Sequence, residues 1–366
     1  MEGDFALVIW DVRCRQAFCA RDRVGNKPFH YHWDGQTFVF ASELHSILLL
    51  PWMTEVLNVG IVAEFLAGEW YSIDETFWKG VFRLVAAHWM VVEAAGTSQT
   101  RYWEPDYWAS LPYNNEQDIT GYYLDLLTDV VRRMSRTHQP LACEVSGGLD
   151  SSAIAAIAEH LRREDRLMAP SLQAYTLDLG DDPTANDLKY ARAVGEYLNF
   201  RIHEIALTRK PLSWYGKQSR SFREFPGFPN GVMGLGIREQ AVAHGGRALF
   251  TGVGGDEWMR GSRTYYAEEL ANGKPGELYR CLKADLDRFG VATSLRWFAR
   301  FGVVPSLPQI IRASLKKTAH WFRFRNEKEQ PWLSDAMRRE LRRRRDEDRN
   351  RPLKPFRRVG QREQDR

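Results

Sequence analysis

Leu141 to Leu161 reads "LACEVSGGLDSSAIAAIAEHL", an apolar run that passes through two glycines and an acid into an alanine-rich helix. The run ends at Ser146, and Gly147 and Gly148 carry no Cβ, so the backbone there can come close to whatever lies above it. From Asp150 onward Ser151, Ser152 and Ala153 open a helix. Its first N–H groups have no partner inside the helix, and the turn presents donors and a positive dipole end to an anion. Phosphate is the guest such a turn suits. An acid in the same place repels phosphate unless a divalent cation lies between them, and mixed carboxylate and phosphate oxygens are what Mg²⁺ prefers. No Gly-Lys-Ser/Thr follows, so this is not a Walker loop. The plainer alternative is an ordinary strand-to-helix turn with an acid near its cap.

The surrounding pattern is that of an α/β protein. Strands "LACEV", "LQAYTL", "RIHEIAL" and "RALFTG" alternate with helices: one from Asp150, one carrying Leu188, Ala191, Val194 and Leu198 on one face, and one near residues 232–244. Alternation of this kind specifies a parallel sheet covered on both faces, and ligands in such sheets sit beyond the carboxyl ends of the strands, where the strand order reverses. A second loop ends a strand with similar chemistry: "TGVGGDE", Thr251 to Glu257, has three glycines followed by Asp256. Ahead of the first strand, "ITGYYLDLLTDVVRRMS" places Ile119, Tyr123, Leu126, Leu127, Val130 and Met134 at helical spacing, with Asp118 as the expected N-cap.

Residues 5 to 105 are different. "FALVIW", "AFCARD", "FVFAS" and "HWMVVEA" are short strand-forming runs separated by turn residues, interrupted by one helix, "NVGIVAEFLAG". The aperiodic stretch "EPDYWASLPYNNEQD", Glu104 to Asp118, marks the boundary. The expected organisation is a β-rich domain over 1–105, a linker over 106–118, the α/β domain over 119–330 and a charged tail over 331–366. Beyond residue 270, "LYRCLKADLDRFG", "SLRWFARFG" and "LPQIIRASLKKTAHWF" read as amphipathic helices. The run from Met337, "MRRELRRRRDEDRN", reads as a solvated helix fraying into a disordered tail.

Composition narrows the function classes. The 366 residues carry a net charge of only +4, with the positive excess gathered in the last third, which argues against a nucleic-acid-binding face. Among 13 tryptophans some must serve packing or partner surfaces. Cys14, Cys19, Cys143 and Cys281 have neither metal-type spacing nor the density of a disulfide scaffold, which fits a reducing cytoplasm. No apolar run approaches a membrane span, and the N-terminus lacks a signal pattern.

Ser146-Gly-Gly-Leu-Asp-Ser-Ser152 resembles the pyrophosphate-binding loop of the ATP-pyrophosphatase fold. Together with "TGVGGDE" it resembles the synthetase domain of the glutamine-dependent, class B asparagine synthetases. "GDFALVIWD", "ARDRVGNKPFHY", "FASELHSIL" and "RYWEP" are similar, in order, to the second half of that family's N-terminal glutaminase domain. The quoted motifs span residues 1 to about 260. The resemblance implies a partial Ntn-type glutaminase sandwich followed by a doubly wound parallel-sheet ATP-pyrophosphatase domain whose C-terminal part is incomplete. It implies that Ser146, Gly147, Gly148, Asp150, Ser151 and Ser152 hold the phosphates of ATP. The backbone around Leu177 and Gly252 would hold the adenosine, and Asp150 and Asp256 would ligate Mg²⁺. The implied activity is AMP-forming activation of a carboxylate followed by amide formation, with aspartate as the family's default acceptor.

This sequence departs from the family at several places. Glu2 stands where the glutaminase half has its nucleophilic cysteine, and Cys14 and Cys19 lie within strand patterns, so no glutamine hydrolysis is expected. Val253 replaces a glutamate between the glycines, "LVAAH" at Leu84 to His88 lacks the usual prolines and glycine, and no pyrophosphate-binding lysine is identified after residue 300. The resemblance extends to lasso-peptide cyclases, which activate an acidic side chain of a peptide. A nucleotide-binding remnant without turnover is the third reading. Expected partners are therefore a small carboxylate or an acidic peptide, without nucleic acid or membrane, and homodimer formation is left open.

Overall fold

The computed structural model describes residues 1, 3–106, 112–113, 115–180, 187–225, 232–255, 263–308 and 330–350. The chain forms two compact units, Met1–Asp256 with Asp335–Asp348, and Glu257–Ser334 with Arg349–Arg366.

The first unit begins with two antiparallel sheets. Strands β1 (Ala6–Asp11), β2 (Gln16–Arg21), β6 (His88–Glu93) and β7 (Gly96–Arg101) lie in the order β1-β2-β6-β7. Strands β3 (His30–Trp33), β4 (Phe38–Ala41) and the short β5 (Phe82–Arg83) lie in the order β4-β3-β5. The sheets enclose Ala17, Cys19, Met90 and Val92 from one side and Tyr31, Trp33, Phe38 and Phe82 from the other. Alternation along β2 and β6 is the cause, since every second residue points to the same face. The expected sandwich is present. Helix α1 (Leu44–Leu48) covers the outer face of the second sheet, with Leu44, Ile47 and Leu48 buried.

Cys14, expected within a strand, instead sits in the tight turn between β1 and β2. The Asp11 carboxylate accepts the Arg13 and Cys14 N–H groups at 2.8 and 3.1 Å, and Arg15 takes φ 52° to close the hairpin. Burial pushes the Cys19 thiol and the Cys143 thiol each up to about 12, so neither is a thiolate at neutral pH. Helix α2 (Val59–Ala67) falls where its pattern placed it, because Asn58 accepts the Ile61 N–H and Gly68 ends it at φ 68°.

Helix α3 (Glu116–Met134) is longer than its apolar pattern. Its N-cap is Asn115, not Asp118: the Asn115 side chain accepts the Asp118 N–H at 2.8 Å, and Asp118 becomes an acid of the first turn. The face that meets the core also differs. Val131 is buried and Leu127 packs against the core, whereas Ile119, Tyr123, Leu126, Val130 and Met134 are exposed.

The second sheet system is wholly parallel. Strands β8 (Leu141–Glu144), β9 (Leu172–Asp178), β10 (Ile202–Ala206) and β11 (Ala248–Phe250) are ordered β10-β9-β8-β11. Between them run α4 (Leu149–Arg163), α5 (Asp187–Tyr197), α6 (Leu212–Phe222) and α7 (Leu235–Ala243). One face packs Leu141, Cys143 and Val145 against Ala155, Ala158 and Leu161 of α4 and Ala191 of α5. The other packs Ala142 and Tyr175 against Ile237 and Ala241 of α7. Both faces of the central strands β8 and β9 are thus covered, which is why they read as largely apolar runs, whereas the edge strand β10 leaves Glu204 and Ala206 exposed. The chain steps outward from β8 to β10 and then returns to the opposite flank of β8, so the order reverses between β8 and β11.

The basic helix Asp335–Asn350 corrects a further expectation. It is not simply solvated, because Leu341 and Arg344 are buried in the first unit. The second unit contains helices Tyr265–Ala271, Pro275–Phe289 and Val291–Trp297, the last continuing into a π-helical turn at Phe298–Val303. Its centre is Tyr266, fully buried, whose hydroxyl donates to Asp285 at 2.9 Å. Most of "LPQIIRASLKKTAHWF" lies outside the described residues.

Replacing Asn115 by Ala should lower stability in urea unfolding by about 1 kcal/mol, the usual loss for a capping side chain. Asp118→Ala should cost less; an equal or larger loss at Asp118 would restore it as the cap.

Candidate functional site

The site lies where the strand order reverses, at the carboxyl ends of β8 and β11. From β8 the chain passes through Val145, whose N–H donates to the Tyr175 carbonyl of β9 at 2.8 Å, into the turn at Ser146. Ser146 N–H donates to Ser151 Oγ at 3.0 Å, and the two hydroxyl oxygens are 2.9 Å apart. The Gly148 N–H reaches Ser146 Oγ at 3.3 Å. The turn is therefore folded back on the first turn of α4, for which Gly148 is the N-cap. Ser152 N–H bonds to the Gly148 carbonyl at 3.2 Å and starts the helical ladder. The N–H groups just before it point out of the helix end toward solvent or a guest.

Gly147 is required by its surroundings. It has φ +84°, and a Cβ there would lie 2.6 Å from the Asp187 carbonyl oxygen and 2.9 Å from the Ala191 nitrogen of α5. The second loop closes on the first from the β11 side. A Cβ on Gly252 would lie 2.8 Å from Ser151 N, and one on Gly255 would run into the carboxylate of Asp150. Gly255 itself is held in a turn by its N–H to the Gly252 carbonyl at 3.2 Å. The second turn thus presents bare glycine backbone to Ser151 and to the Asp150 carboxylate of the first.

Of the residues read from sequence, Ser146, Gly147, Gly148, Asp150, Ser151, Ser152 and Gly252 converge here. Leu177 is the penultimate residue of β9, its side chain packed on the α7 face with Tyr175 and Ile237. Asp256 lies outside the described residues, although its neighbour Gly255 is against Asp150. Sequence reasoning passed over Gly255 as a contact of Asp150; its only signal was the glycine doublet ahead of the second acid. It also passed over Asp187 and Tyr190, which wall the turn from α5 and sit in an ordinary helical stretch.

Two observations bear on a guest. Ser152 Oγ is buried and has no hydrogen-bond partner among the described residues, a cost that a phosphate oxygen would remove. Beside the two turns, Leu149 is 89% exposed and Val253 87% exposed, so each turn also shows an apolar side chain to solvent. Among the described residues no three His, Cys, Asp or Glu side chains cluster as a self-sufficient metal site. No helix among the described residues is long and apolar enough to cross a membrane.

Glu144, at the end of β8, faces α7. Burial pushes its carboxyl above the usual range, opposed by the Arg238 charge.

An antiparallel β-sandwich followed by a parallel α/β sheet with paired glycine turns at its reversal point defines a two-part α/β class. Comparison with known proteins agrees: a glutamine amidotransferase domain profile matches residues 1–103, and the asparagine synthase profile matches residues 123–363. The chain belongs to the asparagine synthase family, and the match runs well beyond the motifs that end near residue 260. Similar proteins include Amidase chry2 of Gibberella zeae, 26% identical over 87% of this chain and 48% of that protein. Amidase chyE of Penicillium rubens is 26% identical over 74% of this chain and 41% of its own length. Asparagine synthetase [glutamine-hydrolyzing] 3 of Bacillus subtilis is 28% identical over 62% and 38%. The chain spans about half the length, or less, of these relatives.

Two outcomes test the site's construction. Gly147→Ala should destabilise the protein by roughly 1–3 kcal/mol in urea unfolding, through positive φ and the contact with α5. For Glu144 the sign follows from its raised folded pKa: its contribution is present below the unfolded value and lost as pH rises through the folded one. Glu144→Gln should therefore raise the urea midpoint at pH 7 and progressively less toward pH 4. A midpoint lowered at pH 7 would mean that Arg238 outweighs burial.

Proposed function

We propose that this chain carries the ATP-using half reaction of an AMP-forming amide ligase. The observation that supports it most is the meeting of the two glycine turns at Asp150, with the buried Ser152 hydroxyl in the first turn of α4 unpartnered among the described residues. In this reading the N-terminal end of α4 and the hydroxyls of Ser146, Ser151 and Ser152 bind the phosphates of ATP, and backbone near Leu177 and Gly252 binds the adenosine. Asp150 and Asp256 would hold Mg²⁺, which when bound neutralises phosphate charge. A carboxylate oxygen of the acceptor attacks the α-phosphorus, and pyrophosphate leaves. An amine then attacks the acyl carbon, AMP departs, and the amine's proton passes to solvent or base, leaving an amide. The chain's own contribution is preorganised N–H and O–H donors that need no rearrangement as charge builds on the leaving phosphates.

For the acceptor, free aspartate is the family default and an acidic side chain of a peptide is the second reading. The exposed Val253 favours the second. An apolar side chain at the mouth of the site offers nothing to the charged groups of a free amino acid and can pack against a peptide.

The test is pyrophosphate release with ATP and Mg²⁺, comparing aspartate with acidic peptides. Release should require an acceptor and fall by roughly 100-fold in Asp150→Asn, a size typical of removing one preorganised charge partner. ATP binding without release from any carboxylate would reduce the site to a nucleotide-binding remnant.

A further inference from the structure

The N-terminal sandwich carries a second polar site, away from the nucleotide turn. Asn58 caps α2, and its side-chain nitrogen donates to Glu75 Oε1 at 2.9 Å. Glu64, on the buried face of α2, accepts the Tyr71 and Ser72 N–H groups on Oε2 at 2.9 and 3.3 Å. These bonds orient both acids without help from any cation, and leave Glu64 Oε1 and Glu75 Oε2 facing the same space. Two carboxylates so placed repel each other and favour a positive guest.

That guest is Arg344 of the helix Asp335–Asn350. Its Nη1 lies 2.8 Å from Glu64 Oε1 and 2.6 Å from Glu75 Oε2, while Nη2 lies 3.1 Å from Glu75 Oε1 and 3.4 Å from Asn58 Oδ1. The Arg344 side chain is only 7% exposed. Gly60 makes the space, since a Cβ there would overlap the guanidinium. Next to it Arg345 Nε donates to Glu69 at 2.9 Å. Planar, multidentate recognition of this kind selects arginine over lysine. The seam between helix and sandwich is loosely filled: a cavity of about 590 Å³ lies along it, beside Trp78, Lys79, Arg339 and Arg343.

We propose that Asn58, Gly60, Glu64 and Glu75 form an arginine-binding site on the amidotransferase-like half, filled in cis by Arg344. Helix Asp335–Asn350 is then a detachable latch that fastens the far end of the asparagine-synthase segment to that half. A polar, desolvated anchor beside an unfilled seam holds one geometry yet can be competed away by a second arginine-bearing helix.

The test is fluorescence anisotropy of a labelled peptide of residues 331–350, titrated with full-length chains. The R344M chain keeps the acid pocket and leaves it vacant, so it should bind the peptide at least tenfold more tightly than the wild-type chain does. The same peptide carrying R344M should lose at least tenfold, and R344M/G60A should not bind. Should R344M lack a cooperative unfolding transition, R344K, which keeps the charge without the fork, takes its place. Trypsin cleavage within 336–345 should be at least tenfold faster in G60A than in wild type, although alanine is the better helix former in α2. Equal peptide binding by wild type and a folded Arg344 variant, equal binding of the two peptides, or an unchanged cleavage rate in G60A would overturn the proposal.

Discussion

The absence of side-chain atoms at Gly252 and Gly255 is the constraint on which the site depends. Any Cβ at Gly255 would occupy the space of the Asp150 carboxylate, and any Cβ at Gly252 would press on the Ser151 backbone. Close approach of β11's loop to the first turn of α4 is therefore possible only because the β11 loop is bare backbone at both points of contact. Gly147 does the same work on the opposite side, against α5. The result is a turn packed from two directions, with its helix-end donors left facing outward.

The layers behind the turn explain why it can be rigid. Leu141, Cys143 and Val145 are buried against α4, while Ala142 and Tyr175 are buried against α7. A strand pinned on both faces cannot shift along its axis without opening both cores, so the position of Ser146 is set by packing below it. Glu144 is the exception in this strand: an acid on a face that is otherwise apolar, held at a cost because Arg238 only partly offsets its burial.

The sandwich and the parallel sheet meet through a short polar and aromatic contact after α6. Trp78 Nε1 donates to the Arg223 carbonyl at 2.7 Å, Arg83 pairs with Glu224 at 3.2 Å, and Phe225 stacks on Phe65 with ring centroids 4.2 Å apart. The sequence shows none of these as special, since an arginine or phenylalanine in a polar stretch has no period to give it away. Together with Arg344 they tie residues more than a hundred positions apart.

Much of the candidate site was legible in sequence because its elements are local: a strand, two glycines and a helix follow one another in the chain, and each is specified by neighbours a few residues away. The helix α2 was legible for the same reason, with its asparagine and glycine at the two ends. What failed to be legible was every choice among equivalents. The apolar stripe of α3 could not say that Val131, and not Val130, faces the core, because that depends on where α4 lies. The four arginines Arg342 to Arg345 are alike as text, and only the pocket made by Gly60, Glu64 and Glu75 distinguishes Arg344. Sequence by itself determined the order of a β-rich part and an alternating strand-and-helix part and the local strand-turn-helix path through Ser146 to Ser152. Tertiary structure alone decided which backbone meets which, since contact between distant segments is a matter of available space and charge that no local pattern encodes.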